Sequence, residues 1–265
     1  MSSGVRALLA AVFALLAGGA CAQEAKVVDL ETRPGVKLRM LAMRPAAEPA
    51  STVILLNGGP GFVGIYDNGS MQRDGNFLIR SRQIFQQLGH AVLVLDTPSD
   101  MRELRGQFRD SAEHAADLGA AVAWARQQYG KPVWLVGTSR GTHSAANGAV
   151  RLRGDQAPDG IVLTSSILDS SRFGTSQAKA VQDWDWSQVR QPVLVVHHKQ
   201  DACRVCPPAR LPELMAKLRP QASQLLTYEG GRTQGPDCEA FAHHGFNGIE
   251  SQVAGDISAW IKARP

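Results

Sequence analysis

The feature that most restricts this chain is a series of short apolar runs, each closed by glycine or a polar residue and followed by a helix-like segment. The runs lie within "STVILLN" (51–57), "HAVLVLD" (90–96), "PVWLVG" (132–137), "GIVLTSS" (160–166) and "PVLVVHH" (192–198). They are continuous in Val, Leu and Ile rather than alternating with polar residues. An alternating strand has one wet face; a continuous one is buried on both, as in a parallel sheet covered by helices on each side. The segments between them have helical spacing. "FLIRSRQIFQQLG" (77–89) stops at Gly89, "SAEHAADLGAAVAWARQQYG" (111–130) runs from a capping Ser111 to Gly130, and "THSAANGAVRLR" (142–153) follows the third run. "KVVDL" and "VKLRMLAM" predict a leading hairpin, "LPELMAKLRP" a helix, "SQLLTYE" a last strand, and "IESQVAGDISAWIKARP" a terminal amphipathic helix. The prediction is an α/β domain built on a mostly parallel central sheet with helices on both faces. In such sheets ligands bind beyond the carboxyl ends of the strands, so the residues just after each run are where chemistry is expected.

The 265 residues, 44% of them hydrophobic, suffice for a sizeable core, and no Pro/Gly/Ser-rich linker or internal repeat divides them. One domain is expected over 23–265. Residues 1–22 read as a secretory signal: Arg6, an apolar run from Ala7 to Ala17, then Ala20-Cys21-Ala22 with cleavage after Ala22. Export to the periplasm or the exterior is the expectation. Lipidation at Cys21 is the rival, disfavoured because Gly18 stands where leucine is usual. The apolar run is too short to span a bilayer, so no stable membrane insertion follows removal of the signal. The 28 basic and 24 acidic residues give +4, which falls to +3 when Arg6 leaves with the signal. That weak, dispersed charge gives no case for a nucleic-acid partner.

"VWLVGTSRGTHSAA" places Ser139 in a Gly-x-Ser-x-Gly turn directly after a buried strand, with small residues opening the next helix. This is the strand–turn–helix context of a nucleophile elbow. In "LLNGGPGF" the glycines expose backbone N–H groups; Gly59, with Gly58 as second choice, is the expected oxyanion donor beside the N–H of Arg140. A serine hydroxyl needs a base, and the base an orienting acid. Asp201 follows the "PVLVVHH" strand, and His243 and His244 precede the terminal helix, giving the order serine, acid, histidine.

On Asn57-Gly-Gly-Pro-Gly61, Gly137-Thr-Ser-Arg-Gly141, Asp201 and His244, the chain resembles the α/β-hydrolase superfamily across its whole mature length. Its oxyanion loop is similar to the His-Gly-Gly-Pro-Gly loop of proline iminopeptidases, with asparagine replacing histidine and no counterpart of their large cap. The resemblance implies a cofactor-free serine hydrolase with Ser139, Asp201 and His244 as its triad and a small-molecule acyl substrate. It favours His244 over His243 as base, and Asp201 over Asp169, which ends the preceding strand. Caps in this fold follow the "GIVLTSS" strand; the short segment here implies a small cap or none, with Trp184 and Trp186 packing rather than lining the site. An ester is the first substrate choice and an amide or peptide the second; a non-catalytic binding protein of the same fold is the alternative of another class. The fold would also bring the loops of Cys203 and Cys238 together, implying a Cys203–Cys238 disulfide with Cys206 free. A Cys206–Cys238 bridge and a zinc site of Cys203, Cys206, Cys238 and a histidine are the alternatives, and no metal is expected.

Overall fold

The computed structural model describes residues 24–172 and 179–264. The signal expected over 1–22, with Cys21, lies outside the described residues. Eight strands form one sheet: β1 (Glu24–Arg33), β2 (Val36–Arg44), β3 (Ser51–Leu56), β4 (His90–Pro98), β5 (Val133–Thr138), β6 (Gly160–Thr164), β7 (Val193–His198) and β8 (Ser223–Tyr228). Their order is β1-β2-β4-β3-β5-β6-β7-β8. The β1–β2 hairpin is antiparallel, as its alternating sequence predicts, and β2 pairs antiparallel with β4. All pairings from β4 through β8 are parallel.

The helices are α1 (Phe77–Arg80), α2 (Arg82–Gln87), α3 (Gly106–Arg109), α4 (Ala112–Tyr129), α5 (Gly141–Arg151), α6 (Leu211–Met215) and α7 (Glu250–Lys262). The continuous apolar runs divide between two cores. Ile54, Leu56, Leu135, Ile161 and Val195 face α4, α5 and α6, whereas Val53, Leu55, Val136, Val162 and Val196 face α1, α2 and α7. Ser111 caps α4 by accepting the His114 N–H at 3.1 Å, and Gly130 ends it in the left-handed conformation.

Two helix expectations need correction. The segment 77–89 is not one helix but two, Phe77–Arg80 and Arg82–Gln87, meeting at Ser81. "LPELMAKLRP" is helical only over Leu211–Met215. Between β6 and β7 the described residues form only single turns, at Ser170–Arg172, Val181–Asp183 and Trp186–Gln188. Residues 173–178 lie outside the described set. Trp184 and Trp186 are buried in the core, with Trp186 Nε1 donating to Val181 O at 2.9 Å, which is the packing role expected of them.

Several histidines are enclosed in this scaffold. His90 bridges Ser51 Oγ at 2.8 Å and Ser258 Oγ at 2.7 Å, clamping β3 and β4 to α7. Burial pushes its pKa down to about 4, and pushes His114 and His143 to about 3. Unfolded histidine titrates near 6.5, so between about 6.5 and these values the unfolded chain binds more protons than the folded one. Their contribution to stability is therefore full above pH 6.5 and lost as pH falls toward 4. Asp110, pushed up to about 6 by burial, acts oppositely within the same window but is a single group. The expected outcome is a urea midpoint that falls steadily between pH 7 and pH 4.5; a constant midpoint would contradict the neutral burial of these rings.

Candidate active site

Four loops at the carboxyl ends of the strands, those after β3, β5, β7 and β8, meet around one cavity of about 820 Å³, lined among others by Gly58, Gly59, Ser139, Arg140, Cys203 and His244. Ser139 follows β5 at φ 52°, a left-handed conformation costly for any residue but glycine. Its N–H donates to Thr164 O at 3.0 Å, and its carbonyl accepts from the N–H of Thr142 at 3.0 Å and from Thr142 Oγ1 at 2.6 Å. The flanking glycines are required by contact. A Cβ on Gly141 would lie 2.0 Å from Leu56 O, and one on Gly137 would lie 2.3 Å from Gly141 O. Without side chains at these two positions α5 can start directly against β3 and β5.

Asp201 is buried beyond β7. Its Oδ2 accepts from His244 Nδ1 at 2.9 Å, and its Oδ1 accepts from the Cys203 N–H at 2.9 Å. With Nδ1 engaged, His244 Nε2 is buried and makes no hydrogen bond within the described protein. His243 lies elsewhere: its ring stacks on His198, centroids 4.4 Å apart and planes 6° from parallel. Asp169 is also separate from the histidine loop. Its carboxylate accepts from the Ser171 N–H at 3.0 Å and lies 3.7 Å from Arg210. The structure thus brings Ser139 and His244 to one cavity, with Asp201 buried behind the His244 ring, and leaves His243 and Asp169 in other surroundings.

Gly58 packs against the elbow: a Cβ there would sit 3.0 Å from both Ser139 Cβ and Thr138 O. Gly59, one residue on, has no heavy atom near its would-be Cβ and borders the cavity. Arg140 stands at the N-cap of α5, where the helix dipole places partial positive charge.

Two further residues support the site. Ser165, at φ 45° just after β6, donates its Oγ proton to the His244 carbonyl at 2.7 Å and so fixes the backbone of the histidine. His197, the fifth residue of β7, donates from Nε2 to Cys206 O at 3.0 Å, with Asp201 Oδ2 3.5 Å away. Burial lowers its pKa and keeps the ring neutral, so that nitrogen carries the proton. Neither role has a local signal; each arises where separate strands end side by side.

Cys203 and Cys238 form a disulfide across 35 residues, and Cys206 is a buried free thiol. Burial, and then the charge of Asp201, raise the Cys206 pKa well above its ordinary value. Cys203, Cys206 and His244 lie close enough to hold a metal, but Cys203 sulfur is bonded to Cys238. The zinc arrangement and the disulfide are mutually exclusive.

An esterase from Pyrococcus furiosus matches with a TM-score of 0.66 at 15% identity, over 92% of this chain and 92% of its own. The fold is that of the α/β-hydrolases. The esterase domain of a Rhodothermus marinus protein shares this α/β-hydrolase fold with a TM-score of 0.62 at 16% identity, over 91% of this chain and 99% of its own. An α/β serine hydrolase without a lid from Xanthomonas campestris matches with a TM-score of 0.54 at 15% identity, over 91% and 92%. No protein-family model matches the chain, and no curated protein does.

The disulfide joins the loop of the acid to the loop of the histidine, so its loss should be felt in both stability and geometry. Replacing both Cys203 and Cys238 with serine is expected to cost about 2–4 kcal/mol, from the closure entropy of a loop of this length. Urea denaturation of the double variant against the parent measures it; an unchanged unfolding free energy would remove the bridge from the fold's stability.

Proposed function

We propose that this protein is an exported serine hydrolase that cleaves a small ester through an acyl-enzyme. One observation carries the reading. His244 Nδ1 is held by Asp201 at 2.9 Å while its other nitrogen, buried and without a protein partner, borders the cavity that Ser139 enters. A base oriented by a buried carboxylate, beside a serine on a strained elbow, is the arrangement acyl transfer requires.

In this reading Ser139 Oγ attacks the ester carbonyl carbon as His244 Nε2 takes its proton. Asp201 keeps the imidazole in the tautomer with its proton on Nδ1 and stabilises the cation that forms. The N–H groups of Gly59 and Arg140 receive the developing oxyanion. His244 then passes the proton to the leaving alcohol. Water, activated by the same nitrogen, attacks the acyl-enzyme and releases the acid and free Ser139. The cavity is of a size that takes small molecules. The fold neighbours named as esterases favour an ester, and the Cys203–Cys238 disulfide suits an oxidising compartment and so favours export.

Labelling the mature protein with a fluorophosphonate and mapping the modified peptide tests the nucleophile; a panel of short acyl esters and aminoacyl amides then tests the bond. Ser139→Ala is expected to lower p-nitrophenyl ester turnover by about 10⁴-fold or more with little change in thermal unfolding. Residual activity above a tenth of the parent would exclude Ser139 as nucleophile.

A second pair of variants separates the two acids. Asp201→Asn should reduce turnover by about 10⁴-fold, because it holds the wrong imidazole tautomer. Asp169→Asn should stay within a few-fold of the parent. Steady-state kinetics on one ester decides, and the reverse result would move the acid to the loop after β6.

A further inference from the structure

Arg109 is a cation sealed beneath the Asn57–Gly61 loop. It is the last residue of α3, 1% exposed, and no carboxylate lies within ion-pair distance of it among the described residues. A buried charge without a counter-ion is costly, so what it contacts matters. Its Nε donates to Leu104 O at 3.3 Å and its Nη1 to Ser144 Oγ at 2.8 Å, on the first turns of α5. Its Nη2 donates to Asn57 O at 3.1 Å and to Gly59 O at 3.4 Å. The guanidinium therefore ties the loop after β3 to the helix that begins at the Ser139 elbow. Gly61 lets the loop close onto it, at φ +80° and with a would-be Cβ 2.9 Å from Nη2.

In a trans peptide the C=O and the N–H point in opposite directions. Drawing Asn57 C=O down to Arg109 turns the Gly58 N–H the other way. The Gly59 carbonyl is held by the same nitrogen, which fixes the next peptide but one. Between these two, Gly58 C=O accepts the Gly61 N–H at 3.0 Å, which turns the Gly59 N–H out of the loop. The N–H groups of Gly58 and Gly59 donate to no acceptor among the described residues. The loop's donors are thus left unengaged next to Ser139, and the groups that hold them so are the Gly61 turn and the Arg109 fork.

We infer that Arg109 is a positioning residue for catalysis, whose guanidinium fork holds the peptides of Asn57 and Gly59 so that the loop's N–H groups meet the transition-state oxyanion. This rests on the serine-hydrolase reading above. The cation also polarises the Asn57–Gly58 peptide, which strengthens the Gly58 N–H on its far side; the Gly59 carbonyl belongs to the peptide of Pro60, which has no N–H, so that contact fixes the loop without adding a donor. Burial lowers the Arg109 pKa to about 9, which leaves it charged at neutral pH, with carbonyls and a hydroxyl rather than a carboxylate around it. A purely structural arginine would affect folding alone. One that sets the oxyanion donors would affect the transition state more than the bound substrate.

The test compares Arg109→Met and Arg109→Lys with the parent on a p-nitrophenyl ester, and measures inhibition by a trifluoromethyl ketone, whose adduct with serine carries an oxyanion. Removing a direct oxyanion donor costs on the order of 10²–10³ in turnover, so a group that positions one is expected to cost about 10–100-fold. Arg109→Met should lower kcat by that factor with KM within about 2-fold, and weaken the ketone by a similar factor. Arg109→Lys keeps the charge but not the fork, and should show a smaller loss of kcat with the same unchanged KM. If the methionine variant does not fold, the lysine variant alone decides. A folded variant with kcat and ketone affinity within 2-fold of the parent overturns the inference, as does a loss confined to KM. A parent that neither turns over esters nor labels at Ser139 overturns the hydrolase reading and this inference with it, which tells the two failures apart.

Discussion

Helix α5 starts so close to strands β3 and β5 that two of its neighbours can carry no side chain. A Cβ on Gly141 would fall on the Leu56 carbonyl, and one on Gly137 would fall on the carbonyl of Gly141. From that approach follows the left-handed backbone of Ser139, held by Thr164 on one side and Thr142 on the other. It also brings the loop after β3 beside the elbow, where Gly58 rests against Ser139. The strain at one residue persists because flanking backbone on three strands leaves it no alternative.

The other half of the site depends on the edge of the sheet beyond β6. Asp201 leaves β7 with its carboxylate saturated by His244 and the Cys203 amide, with His197 alongside. His244 comes from a loop with little regular structure. It is held by the Ser165 hydroxyl on its carbonyl, by Asp201 on its ring and by the Cys203–Cys238 bridge six residues before it. A loop ordered by so many separate ties can keep one imidazole nitrogen buried and unpaired, a state that a mobile loop would relieve by turning to solvent.

Much of this was legible in the chain. The continuous apolar runs of β3, β5, β6 and β7 announce strands buried on both faces, and Ser111 and Gly130 mark the ends of α4 by capping chemistry that is local. The Gly137–Gly141 pattern points to Ser139 because glycine is demanded by backbone contact wherever it occurs in such a turn. The break at Ser81 was not legible, because apolar residues at 77–79 and 85 satisfy a helical period whether or not the chain bends between them.

Composition, periodicity and spacing by themselves determined the class of fold and the strand ends at which chemistry would gather. Only the tertiary structure decided which of two adjacent histidines faces Asp201, and that Asp169 turns to Ser171 and Arg210. It alone disclosed Arg109 and Ser165. The reason is physical: a strand's burial and a helix's cap are set by neighbours along the chain, whereas the partner of a buried polar side chain is set by which distant strands end side by side.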